Sequence, residues 1–528
     1  MAGKLTLNKN LLSIFILAPA TIYLSYMFLK ENLIGFLTVS SSSILLIIFF
    51  SYFFKKKRPP RRIDERIVTF LLHMYAISQG EVGPDDLVRA VAETEDYGYY
   101  STVFKKIREL ARKFGYGFTK AVSQVADAMK PPLKDILVRC TEIFSNPNPR
   151  GYLELEASMI FEEYSSYYFG AIEALKVLGG IFSTFQSVAI FVIVTMNILT
   201  VFMDNPNTIY FAYAISICIL LVMYLGIRAV VPKDIIIYID RRDPPRLYTL
   251  FRLTLPLAIA GLAPAMIVYM RYGPPYAMLA LGSILIIPGW IAQKLEGFVY
   301  KADEHYPTFI KSLGENMAST LSLKSALNYS LRMEIGPLKS FIKRALARIK
   351  IGISNEKTLD MLASEIASHR IHMANKIFID AVNYGGNPLV VGKILGNSII
   401  KFLEFRKRRL SVAKSIEAII VLLQPLTVSL LIILAFLSRY FSQGLSSLPY
   451  LSLGEIPLPI IEAGNIIIIL FVTFINALAI REVKGGFWGK FLLYAGELLI
   501  LSGAAWIGAG MLMNFAFGEL MSSFKEMF

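Results

Sequence analysis

The sequence predicts an all-α, polytopic membrane protein with about nine transmembrane helices and two duplicated cytoplasmic helical-bundle domains. Three observations predict it. The 528 residues are 55% hydrophobic and only 18% charged, with a mean hydropathy of +0.54, far more apolar than a soluble domain of this length. Apolar runs of roughly 20 residues, the length at which a helix crosses a bilayer core, recur along the chain. Two long polar stretches between those runs open and continue alike.

The apolar runs at 11–28 and 33–54 form a transmembrane hairpin, domain 1–54. The first reads as a retained span rather than a removed signal, because no small-residue cleavage site leads into a soluble domain and a second apolar run follows at once. Residues 55–175 make the first cytoplasmic bundle. Spans at 176–202, 208–231, 253–270 and 274–293 make up the membrane region 176–293, and the short fifth span and those containing Pro leave room for tilt or half-helices. Residues 294–415 are the second bundle, and spans at 416–438, 458–480 and 491–514 fill the region 416–528. An even number of spans separates the two polar stretches, so both lie on one side.

Basic residues set the orientation. The segments "KKKRPPRR", "KDIIIYIDRRDPPRLYTLFR", "EFRKRRL" and "REVKGGFWGK" fall on one face, while "MDNPN", "RYGPP" and the loop containing Arg439 are nearly free of them. This places the N-terminus and both bundles in the cytoplasm and the C-terminus outside the cell membrane. The net charge of +15 is then a positive-inside bias, which argues against nucleic acid as the partner. Cys140 and Cys218 fall in a cytoplasmic helix and a span, so no disulfide framework is expected.

Within the first bundle, Val103, Ile107, Leu110 and Phe114 recur at helical spacing between basic residues, in a helix that ends near Gly115 or Gly117. In the second, Leu338, Ile342, Leu346 and Ile349 do the same before Gly352. Strand signals are scarce, so each stretch reads as a small antiparallel helical bundle of its own. "DERIVTF" at Asp64 is echoed by "DEHYPTF" at Asp303, "RELAR" at Arg108 by "RALAR" at Arg344, and "GFT" at Gly117 by "GIS" at Gly352. "NP" at Asn148 is echoed at Asn387, and "IEA" at Ile172 at Ile416. The ordered set is the mark of a duplication, and the copies share one orientation, unlike the inverted repeats of many transporters.

With its duplicated cytoplasmic bundle, the "G-x-[ST]" turn after a basic amphipathic helix and the spans that follow each bundle, the chain resembles the F family of type II secretion and type IV pilus platform proteins. The resemblance covers roughly 60–180 and 300–440, and the large number of spans is similar to the archaeal branch that serves the archaellum and archaeal pili. It implies a membrane platform that engages a hexameric secretion ATPase and guides pilin-like subunits into a filament. It implies no enzymatic activity and no cofactor, and it is compatible with a homodimer.

The nearest candidate for a nucleotide site, "GGNPLVVGKI" at Gly385–Ile394, fails on spacing and has Ile394 where Mg²⁺ needs a hydroxyl. "EIASHRIH" places Glu365, His369 and His372 at i, i+4 and i+7, as metal ligands could be; a solvated helix face is the reading preferred, and no metal is expected. His73 and His305 are isolated and given no role. The candidate ATPase contacts are the basic helix faces, Arg108 and Arg112 in the first bundle and Lys343, Arg344, Arg348 and Lys350 in the more basic second. "EFRKRRL" and "KKKRPPRR" read equally as anchors to anionic membrane lipid. Inside the membrane Glu497 is costly unless paired, near the interface or lining a polar path; Asn197, Asn476, Gln424 and Glu462 are further polar positions, the amides reading as interhelical hydrogen bonds. A secondary transporter or permease built on a parallel duplicated unit is the alternative function, and a membrane-embedded enzyme lacks any nucleophile, metal set or carboxylate pair to support it.

Overall fold

In the computed structural model, which describes residues 63–145, 148–202, 207–240, 244–445 and 458–527, the only non-helical pairing among the described residues is a single antiparallel bridge between Ile237 and Ser368. The expected spans at 11–28 and 33–54, the run "KKKRPPRR", and the loop residues 203–206 and 446–457 lie outside the described residues.

The first polar region opens with α1 (Glu65–Ile77), started by Asp64, whose carboxylate accepts the Ile67 amide at 3.1 Å. Then follow α2 (Pro84–Glu93), a 3₁₀ turn at Glu95–Tyr97, α3 (Tyr99–Lys113), α4 (Phe118–Asp127) and α5 (Leu133–Ser145), before α6 (Arg150–Phe202). α3 buries Val103 and Ile107 as the spacing predicts and leaves Leu110 partly covered. Phe114 is a correction: the helix stops at Lys113, and Phe114 stands 65% exposed at its end. The chain turns there because Gly115 and Gly117 adopt φ of +68° and +75°, where a side chain would be strained.

After α7 (Asn207–Val230), the expected fifth span is a pair, α8 (Arg246–Ala260) and α9 (Leu262–Tyr272), broken at Gly261 and carrying Pro256 within α8. α10 (Pro274–Thr320) then runs from the apolar region into the second polar region, which continues as α11 (Leu323–Ser330), a 3₁₀ turn at Gly336–Leu338, α12 (Lys339–Lys350), α13 (Asn355–Ile366), α14 (His369–Asn383) and α15 (Pro388–Leu445). The 3₁₀ turn buries Leu338 and α12 buries Ile342 and Leu346, with Ile349 partly covered. The described chain closes with α16 (Leu458–Lys484) and α17 (Lys490–Met527).

Seven of the described helices, α8 and α9 counting as one, are long and apolar enough to cross a membrane by length and composition. They coincide with the seven runs expected from residue 176 onward. α6, α10 and α15 hold 53, 47 and 58 residues. At 1.5 Å per residue they are about 70 to 90 Å long, against a bilayer core of about 30 Å, so each is continuous from a polar region into the apolar one.

The two polar regions are not the separate bundles the sequence suggests. One continuous apolar core runs through both, with Phe161 and Tyr168 of α6 packed on Phe402 and Phe405 of α15, and the rings of Tyr168 and Phe405 stacked 5.2 Å apart. A second core joins the apolar helices. Within it α10 and α17 touch through backbone: a Cβ on Gly282 would stand 2.8 Å from the Gly496 carbonyl oxygen, and one on Gly289 would stand 2.2 Å from the Leu493 nitrogen. Without a hydrophobic drive between helices in lipid, such close approach supplies the dispersion contact that holds two spans together.

Candidate functional site

Where the polar and apolar regions meet, the chain buries a set of charges. Glu296, on α10, accepts hydrogen bonds from Arg406 of α15 at 3.0 Å, from Lys490 of α17 at 2.7 Å and from the Phe487 amide at 2.7 Å. Two turns further along α10, Asp303 accepts from Ser368 Oγ at 2.5 Å and faces Arg406 at 4.0 Å. Arg370 of α14 reaches Glu65 of α1 at 3.6 Å. Arg409 donates to Asp234 at 2.9 Å and to the carbonyls of Pro232, Val483 and Glu482 at 2.7–2.8 Å, while the Tyr168 hydroxyl donates to Asp234 at 2.7 Å.

Four acids (Glu65, Asp234, Glu296, Asp303) thus meet four bases (Arg370, Arg406, Arg409, Lys490), all buried, and their charges cancel. Cancellation matters because an unpaired charge in so dry a place would cost several kcal/mol, roughly. Burial pushes the Glu65 and Asp303 carboxyls above the usual carboxylate range, and Arg370 opposes the shift in both. The turn between α16 and α17 fits between two of these ions: a Cβ on Gly485 would meet the Arg409 guanidinium at 2.7 Å, and one on Gly486 the Glu296 carboxylate at 2.2 Å. The junction therefore ties α1, α6, α10, α14, α15, the 232–234 connector and the α16–α17 turn into one unit.

Two imidazoles fasten the first polar region to the second in opposite senses. His73 of α1 contacts Asp380 of α14 at 3.1 Å and the Tyr97 hydroxyl at 3.0 Å. His372 of α14 contacts Asp96 and Asp360, each at 3.1 Å, and stacks on Tyr238 with ring centroids 3.8 Å apart. Burial by itself lowers the His372 pKa, but the hydrogen bonds to Asp360 and Asp96 outweigh it and hold it above the ordinary value. Neighbouring His369 is pushed down to about 4 by burial.

The solvated face expected for "EIASHRIH" is overturned. Ala367 takes φ +64° and ends α13, and Ser368 caps α14 by accepting the Ile371 amide at 3.2 Å, so Glu365 and the histidines sit on different helices. The connector holds this turn: Tyr238 N–H donates to the Ala367 carbonyl at 2.9 Å and His369 N–H to that of Ile236 at 3.0 Å. Among the described residues no cluster of three or more His, Cys, Asp or Glu could hold a metal ion.

The basic residues singled out in the sequence are placed as two pairs with acidic counterparts. Arg108 and Arg112 both reach Asp85, at 3.1 and 2.6 Å, and Arg108 also reaches Glu93 at 3.2 Å. Arg344 reaches Glu365 at 3.0 Å, and Arg348 pairs with the same carboxylate. Lys343 and Lys350 are exposed on α12. In the apolar region Asn476 donates to Gln424 at 2.7 Å, and Gln424 donates to Thr473 and Ser502 at 2.7 and 2.9 Å. Asn197 is buried beside Tyr213, which donates to Asn465 at 2.7 Å. Glu462 accepts from Arg439 at 2.6 Å, and Glu497 is exposed on α17.

Sequence reasoning misses the junction because "EFRKRRL" reads equally as a lipid anchor or a partner contact, both of which put its charges on the surface. Its Lys407 and Arg408 are exposed, but Arg406 and Arg409 are 3% and 2% exposed. The available signal was spacing: Phe402, Phe405, Arg406 and Arg409 share one helical face, and a basic residue on an apolar face asks for a buried acid.

No protein-family profile matches the chain, and no solved structure matches it. Flagella accessory protein J of Methanocaldococcus jannaschii is 24% identical over 371 residues, covering 66% of this chain and 65% of that protein. Flagella accessory protein J of Methanococcus voltae is 22% identical over 369 residues, 66% of each chain. The match spans a little under two thirds of either relative's own length. Over that part the chain is similar to the flagella accessory proteins J, the archaellum branch of the platform family that its order of elements resembles.

Proposed function

We propose that the chain is a membrane component of an archaellum-type filament assembly machine, and that it works as the platform. One plan of two spans, helical bundle and two spans occurs twice, with a further span at the end, giving nine in all. The bundles and N-terminus are cytoplasmic and the C-terminus is outside. A hexameric secretion ATPase engages the bundles, pilin-like subunits pass along the membrane part, and the chain makes and breaks no bonds itself.

The observation that carries this reading is mechanical. α6, α10 and α15 each run unbroken from a polar region into the apolar one, and the buried ionic junction locks them together where they cross. A push on the bundles is then carried to the spans as movement of packed bodies instead of being absorbed in loops. Similarity to the flagella accessory proteins J supports the machine to which it is assigned. Both polar regions also share an order of helix, short helix, 3₁₀ turn, basic amphipathic helix, two helices and a long exit helix, which supports the duplication.

The bland explanation of Arg344 and Arg348 is intramolecular pairing, so the exposed Lys343 and Lys350 are the better contacts for an acidic ATPase surface. Lys343→Glu with Lys350→Glu should lower ATPase co-purification about tenfold or more while membrane insertion persists; unchanged co-purification would sink the contact. Deletion of the chain should abolish surface filaments. Filaments that persist, together with solute flux in vesicles lacking any ATPase, would favour the transporter instead.

A further inference from the structure

The buried junction balances its charges, but a smaller set beside it does not. Lys484, at the end of α16, bonds the Glu417 carboxylate of α15 at 2.5 Å and lies over the Tyr494 ring of α17 at 4.6 Å from its centroid. One turn past Tyr494 stands Glu497, exposed and within electrostatic range of both Glu417 and Lys484. Two carboxylates thus share one ammonium, and among the described residues Glu497 has no ion pair or hydrogen bond of its own.

Depth makes the surplus costly. α10 and α17 pack antiparallel, with Gly289 against Leu493, Gly496 between Gly282 and Ile286, and Gly503 against Leu279. Glu497 is therefore level with residues 282–286, beyond Trp290, whose ring carries the Lys294 ammonium at 3.6 Å from its centroid. A tryptophan stacked with a lysine in this way marks the edge of the apolar layer. One to two turns of helix then carry Glu497 about 6 to 12 Å past that edge. An unpaired carboxylate at that depth is expensive, and acyl chains offer it no partner.

The carboxylate sits on a face that is open along both helices. The contact glycines Gly282 and Gly289 of α10 are followed by Ser283 and Trp290, and Gly496 and Gly503 of α17 by Glu497 and Ala504. Successive residues turn by about 100° around a helix, and in an antiparallel pair the two turns lead to the same side. All four of these residues are exposed, as are Ile287 and Met511. Gly508, one turn beyond Ala504, has nothing within 4 Å of where a Cβ would stand, so another backbone can approach closely there.

We propose that this face receives a membrane-spanning helix of another protein that carries a lysine or arginine at the depth of Glu497. The carboxylate selects the basic helix, and Ala504 and Gly508 are where the two backbones close. The chain's own apolar runs at 11–28 and 33–54 contain no Lys, Arg or His, so neither carries the missing charge within its length. A second copy set here about a two-fold axis would place Glu497 against Glu497, which repels.

The test uses the purified full chain in phosphatidylglycerol vesicles, which offer no cationic headgroup, with Cys218→Ser and a benzophenone photolabel on Ala504→Cys. The probe is a tagged Leu-Ala peptide of about 22 residues, long enough to span, with a single Lys about two turns from one end; its control has norleucine there. The Lys peptide should be captured about three- to tenfold more than the control. Glu497→Gln should remove that preference while capture of the control stays the same, and Glu497→Lys should transfer the preference to a peptide with Glu at that position. Equal capture of the Lys peptide and its control, or a Lys preference that survives Glu497→Gln, would overturn the proposal. Products joining two copies of the chain in place of the peptide would overturn it in favour of a second copy. Loss of filaments on deletion, which tests the platform reading, is independent of all these outcomes.

Discussion

The two polar regions carry the same order of helices but are anchored differently. Among the described residues the first reaches the apolar region through α6 alone, whereas the second does so through both α10 and α15 and supplies Glu296, Asp303, Arg370, Arg406 and Arg409 to the buried junction. Their arginine–carboxylate pairs differ in the same sense. Arg112 with Asp85 and Arg344 with Glu365 lie toward solvent, while Arg409 with Asp234 and Arg406 with Glu296 lie in a dry interior. Similar chemistry thus does two jobs. Exposed pairs tune a surface at little energetic consequence, and buried pairs fix how rigid bodies meet, because removing one partner strands a charge.

The largest effect should come from the dry pairs. Arg409→Leu leaves Asp234 buried and loses three carbonyl contacts, so a loss of about 3 to 5 kcal/mol is expected, read as a fall in thermal stability of the purified chain. Arg409→Leu combined with Asp234→Leu should recover much of it; if the double variant is as unstable as the single, the stranded charge is not the cause. Next is the backbone contact between α10 and α17. Gly289→Leu must push the helices apart at Leu493, with an expected cost of about 1 to 3 kcal/mol or more, whereas Gly297→Leu, at a position with open space, should be near neutral.

The imidazole fastening should be pH-dependent, in a direction fixed by its sign. The folded His372 pKa lies above the ordinary 6.5, so its contribution is complete below 6.5 and is lost as pH rises through the folded value. His369 acts oppositely: its folded pKa of about 4 lies below 6.5, so its contribution is present above 6.5 and is lost as pH falls toward 4. Protection factors of the amides at Asp96, Tyr97 and Tyr238, taken against the base-catalysed intrinsic exchange rate at each pH, should therefore fall on raising the pH from 6 to 9, and His372→Gln should flatten that fall. The smallest effect belongs to the exposed pairs. Glu365→Gln should cost less than about 1 kcal/mol, and equal losses from Glu365→Gln and Arg409→Leu would erase the distinction between the two kinds of pair.

The sequence by itself determined the all-helical membrane class, the seven apolar helices after residue 176 and the basic amphipathic helices broken at Gly115 and Gly352. These depend on local quantities: run length, helical period and residues that tolerate positive φ. It could not determine that the two polar regions share one core, that α13 ends at Ala367, or that Arg406 and Arg409 are interior. Each of these depends on partners 65 or more residues away, as Ser368 is from Asp303 and Phe487 from Glu296. A charge's cost or benefit is set by what surrounds it in space, so burial and pairing were decided only when the tertiary structure brought four acids and four bases to one place.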